Sequence, residues 1–215
     1  LATRTLADYS GAMTLSTTNA HFPSNGIIFF NYDDQPTDTI TINGSYPPLD
    51  GDLTIQVGGA HATVGTVTFN GSITVAHSVA KTAPGTLVLA AANRHSGGTT
   101  VSAGTLDVRA DGGLGSGDAA VEAGATLKLG SGATHDYIPN AARLLLNGSA
   151  AVNLAYSGTD VVSALSFDGG PTLEAPGTWG STSSSATHKD PRFTGSGLIH
   201  VALATTTTVS SATNP

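Results

Sequence analysis

The sequence contains no cysteine, which excludes a disulfide framework, a thiol nucleophile and a cysteine-ligated zinc site. Charge is scarce: 8 basic and 15 acidic residues make 11% of 215 positions, against roughly 25% in ordinary soluble domains. Glutamate occurs only at Glu122 and Glu174, and Met and Trp once each. A chain so poor in the residues that cover helix surfaces is not expected to be all-α or α/β. The net charge of −7 supplies no electrostatic footprint for nucleic acid or an anionic membrane. No apolar run reaches the roughly 18 residues of a spanning helix, and Leu1–Tyr9 has neither an initiator Met nor a signal-peptide pattern, so the chain reads as a piece of something longer.

What is abundant points to β-structure. The 27 glycines, with 31 Thr and 21 Ser, favour short strands and tight turns. Two sets of segments repeat in different registers. Gly85-Thr86-Leu87, Gly104-Thr105-Leu106 and Ala125-Thr126-Leu127 open alternating apolar runs at steps of 19 and 21, and Ser96–Gly104 echoes Ser116–Gly124 at a step of 20. A unit that short cannot bury its apolar face alone, so units must stack. A propeller blade needs about 40 residues, and a sandwich alternates longer strands without such an echo. The expected fold is therefore all-β, a parallel β-helix with coils of about 20 residues. Strand-like alternation continues in Thr39–Gly44, Asp52–Gly59 and Thr66–Val75, and again in Leu144–Ala155, Ser163–Gly177 and Gly195–Leu203. His135–Asn140 and Thr178–Pro191 read as loops leaving the coil. The lone helix candidate, Ala133–Leu146, is broken by Pro139 and leaves at most one short turn at Ala141–Leu146.

The segment Lys81–Gly132 resembles the autotransporter-associated β-strand repeat, whose pattern runs K-T-G-x-G-T-L-x-L-x-G-x-N-x-Y-S-G-x-T-x-V-x-x-G-T-L. Lys81, Thr82, Gly85-Thr86-Leu87, Leu89, Asn93, Ser96-Gly97, Thr99, Val101 and Gly104-Thr105-Leu106 fall on it. Pro84, Ala91 (for Gly) and His95 (for Tyr) depart from it. Ser166–Val201 is similar to the closing segment that follows such repeats. The resemblance implies a right-handed parallel β-helix in a large secreted or cell-surface bacterial protein, where such regions serve as passengers or stalks.

The resulting organisation is one β-helix domain over residues 1–203. Residues 1–50 are irregular or an N-terminal cap, 81–132 the best-matched repeats and 163–203 the closing segment. Residues 204–215 form a linker or the start of a next module, and Thr205–Pro215 is similar to the opening of a bacterial immunoglobulin-like repeat.

Glycoside hydrolysis needs two carboxylates roughly 5 to 10 Å apart, but Asp33-Asp34 and Asp50/Asp52 read as turn residues, with loose calcium binding the alternative. A lyase needs converging base or cation, and Lys81, Arg94, Arg109 and Lys128 are scattered. The histidines His21, His61, His77, His95, His135, His188 and His200 lack metal-ligand spacing and read as surface or strand residues, His200 on an outer strand face. Asn43, Asn70 and Asn147 each open an Asn-Gly-Ser triplet at a strand end, where Asn-Gly serves a turn. Gly112–Gly117 lacks the Lys-Ser/Thr of a phosphate loop. Thr39/Thr41 and Thr66/Thr68 form Thr-x-Thr pairs that the later repeats do not keep. Tyr32, Tyr46, Tyr137, Tyr156 and Trp179 are read as exposed aromatics able to stack on sugars, with Trp179 more suited to capping the coil end.

The sequence therefore assigns no catalytic, cofactor or metal residue. The expected function is a non-catalytic stalk, spacer or adhesive passenger, the alternative a carbohydrate-binding accessory module of an extracellular glycan-active enzyme. Expected partners are extracellular or cell-surface polysaccharide and further modules of the same polypeptide, with no nucleic acid and no membrane span.

Overall fold

A computed structural model of the chain describes residues 12–16, 27–30, 39–43, 51–58, 65–74 and 76–203. Those residues contain β-strands and no helix. Odd-numbered strands up to β13 build one parallel sheet: β1 (Ala12–Ser16), β3 (Thr39–Asn43), β5 (Thr66–Phe69), β7 (Thr86–Leu89), β9 (Thr105–Val108), β11 (Thr126–Gly130) and β13 (Ala151–Ala155), closed by β18 (Phe193–Gly195). Strands between them build a second: β2 (Ile27–Phe30), β4 (Leu53–Val57), β6 (Val79–Thr82), β8 (Thr99–Val101), β10 (Ala119–Val121), β12 (Arg143–Leu146) and β15 (Ala164–Ser166). Each coil thus contributes one strand to each sheet, and the fold is the expected β-solenoid.

The period is uneven. Thr66, Thr86, Thr105, Thr126 and Ala151 stack as register partners, at steps of 20, 19, 21 and 25. In the other sheet Leu53, Val79, Thr99, Ala119 and Leu144 do so, at steps of 26, 20, 20 and 25. The 20-residue unit describes the central coils only; the mean is about 23, because longer connections such as 131–142 lie between strands outside that centre.

Alternation places one column of each strand inside. Ile40, Val67, Leu87, Leu106, Leu127 and Val152 stack in the first sheet and end on Phe193; all are buried. Burying such a Leu or Val contributes about 1.5–3 kcal/mol, and stacking like on like removes the need for a jigsaw of different shapes. Turns from second sheet to first carry a residue at positive φ in successive coils, at Gly58, Ala83, Gly104, Gly124 and Gly148. Ala83 is the one non-glycine of that series, at φ 66°. Its Cβ crowds the following carbonyl, at roughly 1 kcal/mol. Ala83→Gly is expected to raise stability by up to about 1 kcal/mol, the left-handed gain being offset by added freedom of the unfolded chain, read from the urea midpoint.

The C-terminal end is built differently. A third sheet, in the order β14 (Thr159–Val162), β19 (Leu198–Val201), β16 (Gly177–Gly180) and β17 (His188–Lys189), contains an antiparallel pair, β16 with β19. The stretch read as a loop at Thr178–Pro191 therefore holds two strands, which Gly and Ser at its ends disguised. Leu198 and His200 alternate with buried Ile199 and Val201, as expected, but the strand ends there and Leu203 is 74% exposed. Residues 140–142 form a turn before β12, not a helix.

Candidate functional site

The polar residues of this charge-poor chain mostly staple one coil to the next. The Asp52 carboxylate accepts from the Ser78 amide (3.0 Å) and hydroxyl (2.7 Å). Asp118 does the same for the Arg143 amide and guanidinium, 25 residues on. Asn93 is buried between coils, accepting from the Ile73 amide (2.7 Å) and donating to the Gly113 carbonyl (2.6 Å). The Asp107 carboxylate draws in both Arg109 (2.9 Å) and Lys128 (3.1 Å), so two cations that look scattered in sequence converge. The two cations are 49% and 38% exposed, but the Asp107 side chain is 5% exposed, so removing both would leave a buried carboxylate uncompensated.

Two basic residues of the central coils are buried. Lys81 occupies an inward column between Ile55 and Val101. Its ammonium donates to the carbonyls of Thr82 (2.9 Å), Ala83 (2.6 Å) and Ala103 (3.0 Å), and burial lowers its pKa to about 8. His95 is fully buried, which corrects the surface reading. Thr99 Oγ1 donates to the Leu114 carbonyl (3.1 Å), so it accepts from His95 Nε2 (2.7 Å); Nδ1 has no partner. Burial lowers the His95 pKa to about 4, against the opposing Leu114 carbonyl.

The aromatic residues also turn inward. Tyr137 and Tyr156 are buried, contrary to the exposed-platform reading. Their rings lie 5.1 Å apart, with His135 stacked 5.0 Å from Tyr156. Tyr137 Oη accepts from the Gly132 amide (2.8 Å), and Tyr156 Oη donates to the Leu198 carbonyl (2.9 Å). Beside them Asp160, also buried, accepts from the Ile138 amide (3.2 Å) through Oδ2, while Oδ1 has no partner. Burial raises its pKa to about 7. Trp179 is 8% exposed, donates to the Ala175 carbonyl (2.9 Å), stacks on His188 (4.6 Å) and meets Phe167 edge-on (5.2 Å). Phe167 in turn approaches Phe193, the last residue of the inner column, and lies under the Arg192 guanidinium. This cluster covers the end of the coil.

Tyr32, Tyr46, His21, His61, Asp33, Asp34 and Asp50 lie outside the described residues, as does Thr205–Pro215 with the immunoglobulin-like reading. Asn147 donates to Glu122 (2.8 Å) and Asn70 to Asn43 (2.7 Å). Gly148 has the turn's positive φ, Gly71 does not. Among the described residues, no group of three or more His, Asp or Glu is placed to hold a metal.

His95 gives a pH dependence. Its folded pKa lies below the ordinary 6.5, so its stabilisation is complete above pH 6.5 and is lost as pH falls to 4, about 3 kcal/mol in all. Asp160 runs the opposite way: the unfolded carboxyl ionises first, so stability falls as pH rises from about 4 to about 7. The His95 contribution is therefore read as the difference between the wild type and His95→Gln. That difference in urea midpoints is expected to narrow steadily from pH 7 to pH 4; a constant difference would contradict it.

Residues 79–108 match the family model of the passenger-associated-transport-repeat. The match runs from β6 through β9, two strands of each sheet, and fits a passenger β-helix repeat over this stretch. No curated protein and no solved structure matches the chain.

Proposed function

We propose that the chain is a non-catalytic structural section of a bacterial passenger, exported to the cell surface or beyond, where it acts as a stiff spacer holding other modules of the same polypeptide. One observation carries this reading: the side chains of Asp52, Lys81, Asn93, Ser96 and Asp118 bond to neighbouring coils or to their own corners, with their chemistry spent on stacking. The passenger repeat at 79–108 supports the extracellular setting.

The test is excision of two coils, residues 79–118, from the full-length protein on its own cells. The expected result is unchanged surface display of a flanking epitope and unchanged activity of flanking modules. Loss of a binding or catalytic activity while the epitope remains displayed would overturn the reading. The adhesive and polysaccharide-binding alternatives are read on a glycan array with the wild-type chain. Of the five aromatics that favoured sugar stacking, Tyr137, Tyr156 and Trp179 are buried and Tyr32 and Tyr46 lie outside the described residues; no binding is expected.

A further inference from the structure

Segment 131–142, which joins β11 to β12, is one of the longer connections, yet it is folded into the molecule: Tyr137 and Ile138 are fully buried. Two carboxylates hold it from opposite sides. From the preceding coil, Asp111 accepts from the amides of Thr134 (2.9 Å) and Asp136 (3.0 Å). Burial alone would raise Asp111, but these hydrogen bonds outweigh it and its pKa lies below the ordinary value. From the following coil, Asp160 on β14 accepts from Ile138 through one oxygen and leaves the other buried without a partner.

Burial of the Asp160 carboxyl outweighs what its surroundings offer a charge, the backbone amides of Ile138, Tyr137 and Val161. No ion pair among the described residues includes it. The nearby phenols are committed elsewhere, Tyr137 accepting from Gly132 and Tyr156 donating to Leu198. The acidic neighbour on the segment, Asp136, repels it. His135 stacks on Tyr156, and its Nδ1 is likewise without a partner. On β19, packed against β14, the titratable residue is His200, which pairs with Val161 and so lies on the strand face opposite Asp160. An ionised carboxylate there would sit in an apolar, aromatic enclosure with a like charge close by, which is unfavourable unless water enters.

We propose that Asp160 is a proton-operated latch: protonated, it holds segment 131–142 closed against β14, and ionised, it lets the segment open to water. Closing is favoured in mildly acidic surroundings and weakened at neutral and alkaline pH. In the open state the carboxyl has the ordinary value of 3.8, in the closed state about 7. The open population should then grow about tenfold per pH unit between those limits and level off above them. Because Asp111 keeps its grip throughout that window, opening is a hinge about the 131–136 side.

The experiment is hydrogen exchange of the wild-type chain at pH 5, 6, 7 and 8, corrected for the intrinsic rate at each pH. Protection of amides in 137–142 is expected to fall about tenfold per unit up to pH 7 and then flatten, while amides of 119–129 hold constant. Asp160→Asn should remove the slope, and Asp136→Asn should move it to lower pH by relieving the repulsion. His135→Gln should leave it in place. Protection that does not change with pH in the wild type would overturn the latch, as would a slope surviving in Asp160→Asn. Should Asp160→Asn not fold, an unmoved slope in Asp136→Asn would do so.

Discussion

Gly104→Ala is expected to destabilise the chain by more than about 3 kcal/mol, whereas Gly124→Ala, at the same corner one coil later, costs only about 1 kcal/mol. Both glycines sit at positive φ, 68° and 79°, so both substitutions carry the left-handed penalty of about 1–2 kcal/mol, the lower end where nothing else is strained. They differ in what the added methyl meets. At Gly104 a Cβ would lie 2.5 Å from the carbonyl oxygens of Ala83 and Gly85 and 2.6 Å from the Pro84 carbonyl carbon. These are backbone atoms of the coil below and cannot rotate away. The Thr105 amide, which donates to Gly85 at 3.2 Å, would be pushed off its acceptor. At Gly124 nothing lies within 4 Å. Denaturant midpoints of the two variants, at equal m-value, give the comparison. Equal losses would mean that the corners do not pack coil on coil as described.

Lys81→Met is expected to cost about 3–5 kcal/mol, although the stem keeps its length and apolar character. The ammonium is the donor to three corner carbonyls, two of its own coil and Ala103 of the next. Removing it leaves buried acceptors unmatched, at about 1–3 kcal/mol each before relaxation. The ammonium's own desolvation, which lowers its pKa to about 8, is relieved in the variant and offsets part of that loss. Thermal or urea unfolding at pH 7 measures the balance. A loss below 1 kcal/mol would mean that water reaches the corner.

Most of the fold was legible because the solenoid writes its period into the chain. Thr86, Thr105 and Thr126 announce three stacked strands, and their neighbours Leu87, Leu106 and Leu127 the core column beneath them. Less legible was whatever depends on the next coil. Lys81 reads as one of several scattered cations, since no local pattern reveals that three carbonyls await it at a corner. His95 and Tyr137 look exposed in linear order because Gly and Pro surround them, while the structure folds their connections inward. Arg109 and Lys128 meet at Asp107 only through a register of 21 residues. In the repeat itself, strain falls on Ala83, at the left-handed corner, and not on Pro84, the departure beside it. The C-terminal closure was hidden for another reason: β16 and β17 are two to four residues long and Gly- or His-bearing, with no alternation to betray them.

The central claim is that a coil is an interchangeable unit whose partners are fixed by register. Excising residues 79–118 removes two whole coils and brings Ala119 to the place of Val79, its register equivalent through Thr99. Excising 79–104 removes one and a half, β6, β7 and β8, and sends each later strand toward the wrong sheet. Circular dichroism with urea unfolding of the two deletions is the direct measurement. A β spectrum and a cooperative transition kept in the first and lost in the second are predicted; equal folding, or equal failure, of the two would contradict the account.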